Sequence, residues 1–332
     1  MRNALIFPAL LLAAAAPAQD APPPSVPQDA APAPASPSDS TQATEEDLAF
    51  LMERQRMTVP VQVAGTGPHR FIIDTGAQRT VISRELASEL NLPRGRDVGL
   101  IAMTGRANVG TVLISSLSVS SFAGAKIEAP ALERRHMGAN GILGIDTLQG
   151  HAVAIDFDTE TMRVSPSTRR KRRARPSAPG EIVIQAKSLF GQLVVTDADF
   201  RGTKVRVILD TGTEVSMGNE ALRRRVARSH KGMRDIELIS VIGGKMVAGY
   251  TQVPQVKIGA VTFENLPIAF SASAPFKEWG LVEKPALLLG MDALRMFRRV
   301  NIDFANREVR LTMPRGQGFA ARAALPTPRP AG

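Results

Sequence analysis

The chain of 332 residues contains no cysteine, and only one tryptophan and one tyrosine. Without cysteine there can be no disulfide, no thiolate nucleophile and no thiolate metal site in any compartment. Packing alone must hold the fold. Scarce aromatics, 5% of residues, leave few side chains to stack on nucleic-acid bases. No apolar run reaches the roughly 20 residues that cross a bilayer as a helix, so no transmembrane segment is expected. His69, His136, His151 and His230 lack metal-ligand spacing, and neither His-Glu-x-x-His nor Gly-x-Ser-x-Gly occurs. Metallopeptidase and serine-hydrolase chemistry are therefore without support, and neither a metal nor an organic cofactor is expected.

What is present is an ordinary globular composition, 44% apolar, with enough length for about two domains. Arg2, the apolar run from Ala4 to Ala16 and the small residues Ala16-Pro17-Ala18 suggest an export signal over residues 1–18. A periplasmic or secreted destination is the expectation. Residues 19–47, rich in Ala, Pro, Ser and Asp, cannot bury a core and are expected to form a disordered spacer. The formal charge of +10 is concentrated: Arg169, Arg170, Lys171, Arg172, Arg173 and Arg175 form one run bounded by Pro166, Pro176 and Pro179. This marks 165–180 as a basic linker, with a disordered tail expected over 315–332. No nucleic-acid partner is expected, because the charge lies in the linker rather than on a folded face.

The segments on either side of the linker, 48–164 and 181–314, repeat one another. Phe71-Ile72-Ile73-Asp74-Thr75-Gly76-Ala77 corresponds to Val207-Ile208-Leu209-Asp210-Thr211-Gly212-Thr213. Ser83 and Asn219 lie equally far beyond their aspartates as candidate helix N-caps. Gly141-Ile142-Leu143-Gly144-Ile145-Asp146 then matches Leu287-Leu288-Leu289-Gly290-Met291-Asp292, and Ile155-Asp156-Phe157 matches Ile302-Asp303-Phe304. The second unit carries extra residues between its motifs, part of them expected around Ser271 to Lys284, which include Trp279. Short alternating strands such as Val59 to Val63, Val109 to Ile114 and Gln252 to Ile258, punctuated by Gly and Pro, favour an all-β, closed or sandwiched architecture.

One Asp-Thr-Gly would arise by chance in about 5% of chains this long. Two, each after an apolar strand and each followed by apolar-apolar-Gly, are specific. With these residues the sequence resembles the retropepsin-like and pepsin-like aspartic peptidases. The resemblance implies two retropepsin-like β-barrel lobes in tandem, a pseudo-twofold bilobal molecule with a few short helices. It also implies an extended peptide substrate and a monomer whose two units form an intrachain pseudo-dimer. It makes Asp74 and Asp210 the catalytic pair, supported by Thr75, Gly76, Ala77, Thr211, Gly212 and Thr213. The threonines 75 and 211 are implied to hydrogen-bond across the lobe interface, and the Thr213 hydroxyl to donate to the outer oxygen of Asp210, leaving the charge there. Thr104 and Gly105, with Gly243 and Gly244, are the candidate tips of two substrate-covering flaps.

The remaining carboxylates have plainer expected roles. Asp146 and Asp292 precede short helical stretches and read as N-caps. Asp156 and Asp303 alternate with apolar neighbours and are expected to face solvent, and Glu214 to be exposed. Paired carboxylates brought within about 3 Å cannot both ionise, which makes them base and acid to one water. The leading reading is therefore an aspartic endopeptidase. An inactive peptide-binding or envelope module on the same fold is the alternative, and an anionic-polymer binder acting through the linker a third reading.

Overall fold

A computed structural model describes residues 56–119, 125–170, 180–189, 192–195, 198–228 and 232–314. It also gives the backbone of the short strands Leu5–Phe7, Leu12–Ala14, Leu48–Ala49, Leu51–Glu53 and Ala320–Arg322. Most of the expected spacer and tail, and the basic run from Lys171 onward, lie outside the described residues.

Alternation sets the strands. Along Arg56–Val63 the buried Val59, Val61 and Val63 alternate with Pro60 and Gln62, so one face turns inward. The chain reverses at Ala64 and Gly65, both at positive φ (50° and 79°), and returns as Thr66–Ile73. That strand ends in the run Phe71, Ile72, Ile73, each at most 1% exposed, and delivers the first Asp-Thr-Gly at its end. Burying side chains of this size contributes about 1.5–3 kcal/mol each.

The same element order runs through both units. In the first, Val81–Ser83 lies between Gly141–Leu143 and Ala125–Leu132, while Gly141–Leu143 also pairs in parallel with Thr66–Ile73. In the second, Ser216–Gly218 lies between Ala286–Leu289 and Val261–Phe270, and Ala286–Leu289 pairs in parallel with Arg206–Leu209. Each unit builds one large sheet among the described residues: nine strands with the first, counting Leu12–Ala14 from outside it, and twelve with the second, counting Leu5–Phe7 and Ala320–Arg322 from outside it. The fold is all-β and bilobal. Six helices of four to eight residues decorate it among the described residues. Ser83 and Asn219 cap two of them, accepting from the amides of Leu86 and Leu222 at 3.1 and 2.9 Å.

A third sheet joins the units. Its six strands run in the order Glu181–Gln185, Glu308–Thr312, Arg299–Asp303, His151–Asp156, Thr161–Pro166, Leu48–Ala49. The seam between units is the antiparallel pair His151–Asp156 with Arg299–Asp303, with Val153 opposite Ile302 and Ile155 opposite Val300. All four of these side chains are buried.

This sheet corrects two expectations. Asp303 does not face solvent: it is 5% exposed and accepts from Ser167, Arg170 and Asn306. The linker expected at 165–180 is ordered at its start, because Pro166 still belongs to a strand and Arg170 bridges Asp303 and Glu308 at 3.2 and 3.4 Å. Period-two alternation missed both, since the face opposite the apolar one is covered by these groups and by Arg310, which pairs with Glu308 and Glu181. Asp156 is half-buried, paired with Arg299 at 2.5 Å.

Candidate active site

Each Asp-Thr-Gly is a tight loop gripped by the apolar-apolar-Gly strand beside it. The amide of Asp74 donates to the Leu143 carbonyl and that of Ile145 to the Ala77 carbonyl. In the second unit Asp210 donates to Leu289 and Met291 to Thr213, all four at 2.9–3.0 Å. Gly144 and Gly290 lie where these strands cross under the loops, and a Cβ on Gly144 would press to 2.5 Å from the Arg79 backbone.

The two loops interlock. The Thr75 hydroxyl donates to the Leu209 carbonyl at 2.9 Å and accepts the Thr211 amide at 3.1 Å. Reciprocally, the Thr211 hydroxyl donates to the Ile73 carbonyl at 2.8 Å and accepts the Thr75 amide at 3.1 Å. This closed ring brings Asp74 and Asp210 together, both fully buried. Their carboxyls lie close enough for the charge of Asp74 to act on Asp210. Each glycine faces the opposite aspartate: a Cβ on Gly76 would sit 2.7 Å from Cγ of Asp210, and one on Gly212 would collide with the carboxyl of Asp74. Glycine is required at both positions for this approach.

The inner oxygen of each carboxyl is held by backbone donors. Asp74 Oδ1 accepts from the amides of Gly76 and Ala77 at 2.8 and 2.9 Å, and Asp210 Oδ1 from that of Gly212 at 2.9 Å. Burial drives the Asp210 carboxyl well above the usual aspartate range. The negative charge of Asp74 pushes the same way, against the amides of Gly212 and Thr213. One proton therefore resides on the pair, which titrates as a unit. The Thr213 hydroxyl was expected to reach the Asp210 carboxyl. It donates instead to the Asp210 main-chain carbonyl at 3.3 Å, so it does not hold charge on that carboxylate.

Asp146 and Asp292 are not N-caps either. The cap positions are Gly144 and Gly290, and the aspartates sit in the first helical turns of Ile145–Leu148 and Met291–Leu294. Asp146 accepts from the amide and hydroxyl of Thr80, Asp292 from those of Ser216. The hydroxyls of Thr80 and Ser216 in turn accept from the amides of Gly144 and Gly290. Each aspartate thus clamps the segment after an Asp-Thr-Gly to the strand beneath it. Desolvation by burial lifts Asp292 to about 6, against its hydrogen bonds with Ser216 and Ala293. Glu214, expected to be exposed, is 8% exposed. Thr80 and Ser216 escaped the sequence reading although a hydroxyl residue lies six positions after each Asp. Gln192 left no signal, since its counterpart in the first repeat, Arg56, is a different kind of residue; its side-chain amide reaches across to the Gly76 carbonyl at 2.9 Å.

Two hairpins carry the candidate flap residues. The first, Arg94–Ala102 with Gly105–Ser118, turns at Met103 and Thr104. The second, Arg234–Ser240 with Lys245–Ile258, turns through Val241 to Gly244. Thr104, Gly105, Gly243 and Gly244 all lie at these tips, and a Cβ on Gly244 would collide with the Thr104 side chain. Each tip is buried in the opposite unit. Met103 packs with Phe276 and Trp279, and its carbonyl accepts the Ala274 amide at 3.2 Å. Val241 packs with Leu132 and Met137 of the first unit. Part of the extra length in the second unit thus forms a dock for the first flap, reinforced by Arg106 to Glu278 at 3.2 Å. Tyr250, on the second flap, lies under Arg234, whose guanidinium is 4.9 Å from the ring centre. Among the described residues no group of histidines and carboxylates is arranged to hold a metal.

Two family models match the chain: gag-polyprotein aspartyl protease over residues 59–150, and aspartyl protease over residues 196–293. A solved retropepsin-like aspartic protease from Rickettsia conorii is similar at 20% identity, covering 40% of this chain and 91% of its own, with a TM-score of 0.31. No curated protein matches.

Proposed function

Since the chain belongs to the retropepsin-like aspartyl proteases, with two units in tandem, we propose that it is an endopeptidase in which Asp74 and Asp210 activate one water. The observation that carries the reading is the fully buried pair of carboxyls, one from each unit, each lying against the other unit's glycine. In the resting state one carboxyl is ionised and the other protonated. The ionised one takes a proton from the water as its oxygen attacks the peptide carbonyl carbon, while the acid gives its proton to the carbonyl oxygen. The tetrahedral intermediate then collapses with the C–N bond breaking: the carboxyl now protonated gives its proton to the leaving nitrogen, while the other takes one back from a hydroxyl of the intermediate. Both carboxyls return to their starting states.

Substrate would lie extended beneath the two hairpins, held by strand-like backbone hydrogen bonds. Because both flap tips are buried in opposite units, they must lift for a peptide to enter. Export to the periplasm or beyond, by the segment at residues 1–18, would place the enzyme among unfolded envelope or extracellular proteins. The test is hydrolysis of an unfolded protein at pH 3–7 by the purified chain, with and without a statine-type transition-state mimic. Cleavage abolished by the mimic and by Asp74→Asn supports the reading. Cleavage that survives both, or peptide binding without any cleavage, rejects it.

A further inference from the structure

We propose that Gln192 is a positioning residue for Asp74: through the Gly76–Ala77 peptide it fixes a donor on that carboxyl and makes Asp74, rather than Asp210, the charged member of the pair. The proposal rests on the peptidase reading above and deepens it.

The geometry is a chain of two hydrogen bonds that share one peptide group. Gln192 opens the strand Gln192–Val195 of the second unit and is 1% exposed. Its Nε2 donates to the carbonyl of Gly76 in the first unit at 2.9 Å. That carbonyl belongs to the peptide whose N–H, on Ala77, donates to Asp74 Oδ1, also at 2.9 Å. A donor at the carbonyl end of an amide polarises it and strengthens what its N–H gives, by roughly 10–30% per bond. The same contact fixes the plane of the peptide, so the Ala77 amide stays aimed at the carboxylate. Hydrogen bonds to the charged form favour that form. Gln192 therefore stabilises negative charge on Asp74 without touching it.

In the second unit Asp210 Oδ1 accepts the Gly212 amide at 2.9 Å, where Asp74 Oδ1 accepts the amides of both Gly76 and Ala77. The Thr213 hydroxyl is committed to the Asp210 main-chain carbonyl. The glutamine reaches across the interface from the strand Gln192–Val195, which lies beside Arg206–Leu209 as Arg56–Val63 lies beside Thr66–Ile73. Because the donor comes from the opposite lobe, the charge order is set only when the lobes are docked.

The experiment compares wild type with Gln192→Met, which keeps the bulk and loses the donor, and Gln192→Glu, which donates only while protonated. Two readouts are taken: the pH dependence of kcat/KM on an unfolded protein substrate, and carboxyl 13C titration of Asp-labelled protein, with the two signals assigned from Asp74→Asn and Asp210→Asn. The expected result for Gln192→Met is an acid limb raised by about half a unit or more, with the same shift in the lower carboxyl titration. KM should change little. Gln192→Glu should resemble wild type at the acid end and Gln192→Met, or worse, as pH rises. A folded Gln192→Met with both titrations unmoved overturns the proposal, whatever its stability. So does assignment of the lower titration to Asp210 in wild type. If wild type cleaves nothing, the peptidase reading fails by itself, and the carboxyl titration still decides for or against the relay. Should Gln192→Met fail to fold, the pH-dependent difference between Gln192→Glu and wild type carries the test, its absence counting against.

Discussion

Replacing Thr211 with valine conserves shape and removes one hydroxyl from the ring that locks the loops. That hydroxyl donates to the Ile73 carbonyl at 2.8 Å and accepts the Thr75 amide at 3.1 Å, at a residue 1% exposed. Valine leaves two buried backbone groups of the first unit without this partner. Each such loss costs about 1–3 kcal/mol, so Thr211→Val should lower the unfolding free energy by about 2–6 kcal/mol, the lower figure applying if the loops relax toward each other. Against a total near 5–15 kcal/mol for a typical domain, that is a large share. Thr211→Ser keeps both bonds and loses only a methyl, which sets a control at about 1 kcal/mol. Urea unfolding followed by intrinsic fluorescence of Trp279 and by far-UV circular dichroism measures both variants. An unchanged m-value would confirm that the change lies in the folded state. If Thr211→Val unfolded within about 0.5 kcal/mol of wild type, or no lower than Thr211→Ser, the ring would not be holding the lobes and the argument from its hydrogen bonds would be refuted.

Gly212→Ala should fold poorly or lose activity at least about 100-fold, because its Cβ meets the Asp74 carboxyl; wild-type turnover in that variant would show that the loops are not in this arrangement. The raised carboxyl of Asp210 makes the folded state hold more protons than the unfolded one above the ordinary aspartate value of 3.8, so stability should fall as pH rises above that point. Asp210→Asn should flatten that decline while abolishing turnover, and an equally steep decline in the variant would count against the shared proton. Asp292, raised to about 6, adds a loss of the same sign between about pH 4 and 6, of order 3 kcal/mol; thermal melts of Asp292→Asn across that window should show a shallower slope than wild type. Cutting the chain at an engineered site within 171–175 should leave the two pieces co-eluting on gel filtration, since the six-stranded sheet joins them, and separation of the pieces would show the linker to be required.

The repeat made much of the fold legible. Two apolar strands ending in Asp-Thr-Gly, each followed at matching distance by a cap and an apolar-apolar-Gly, leave few topologies open, and the strands pair as that pattern requires. Legibility failed where a side chain answers to a distant neighbour. Asp303 alternates like a solvent-facing residue, yet Ser167 and Arg170 cover its face. Asp146 and Asp292 stand where caps often stand, but the backbone at Gly144 and Gly290 passes so close to the loops that those residues take the cap position and the aspartates reach sideways to Thr80 and Ser216. The first flap strand was read as Val109 to Ile114 and runs as Gly105–Ser118, because a projecting ribbon needs no apolar face along its full length. Trp279 and its surrounding residues had no readable purpose in one unit alone; their partner is Met103 of the other.

The sheet shared by the two units also behaves as a ruler with coarse graduations. Slipping His151–Asp156 by one residue against Arg299–Asp303 would turn Val153 and Ile155 out of the interior, since strand side chains alternate with period two. Slipping by two would restore the facing but shift one lobe by about 6.6–6.8 Å, far more than two carboxyls packed against each other's glycines can tolerate. Small misalignments therefore have nowhere to settle: the lobes meet in one register or in none that brings Asp74 to Asp210. A chimera carrying a second unit from another protein should consequently be judged first at this seam, several strands away from the chemistry, by whether its counterpart of Val300 comes to rest opposite Ile155.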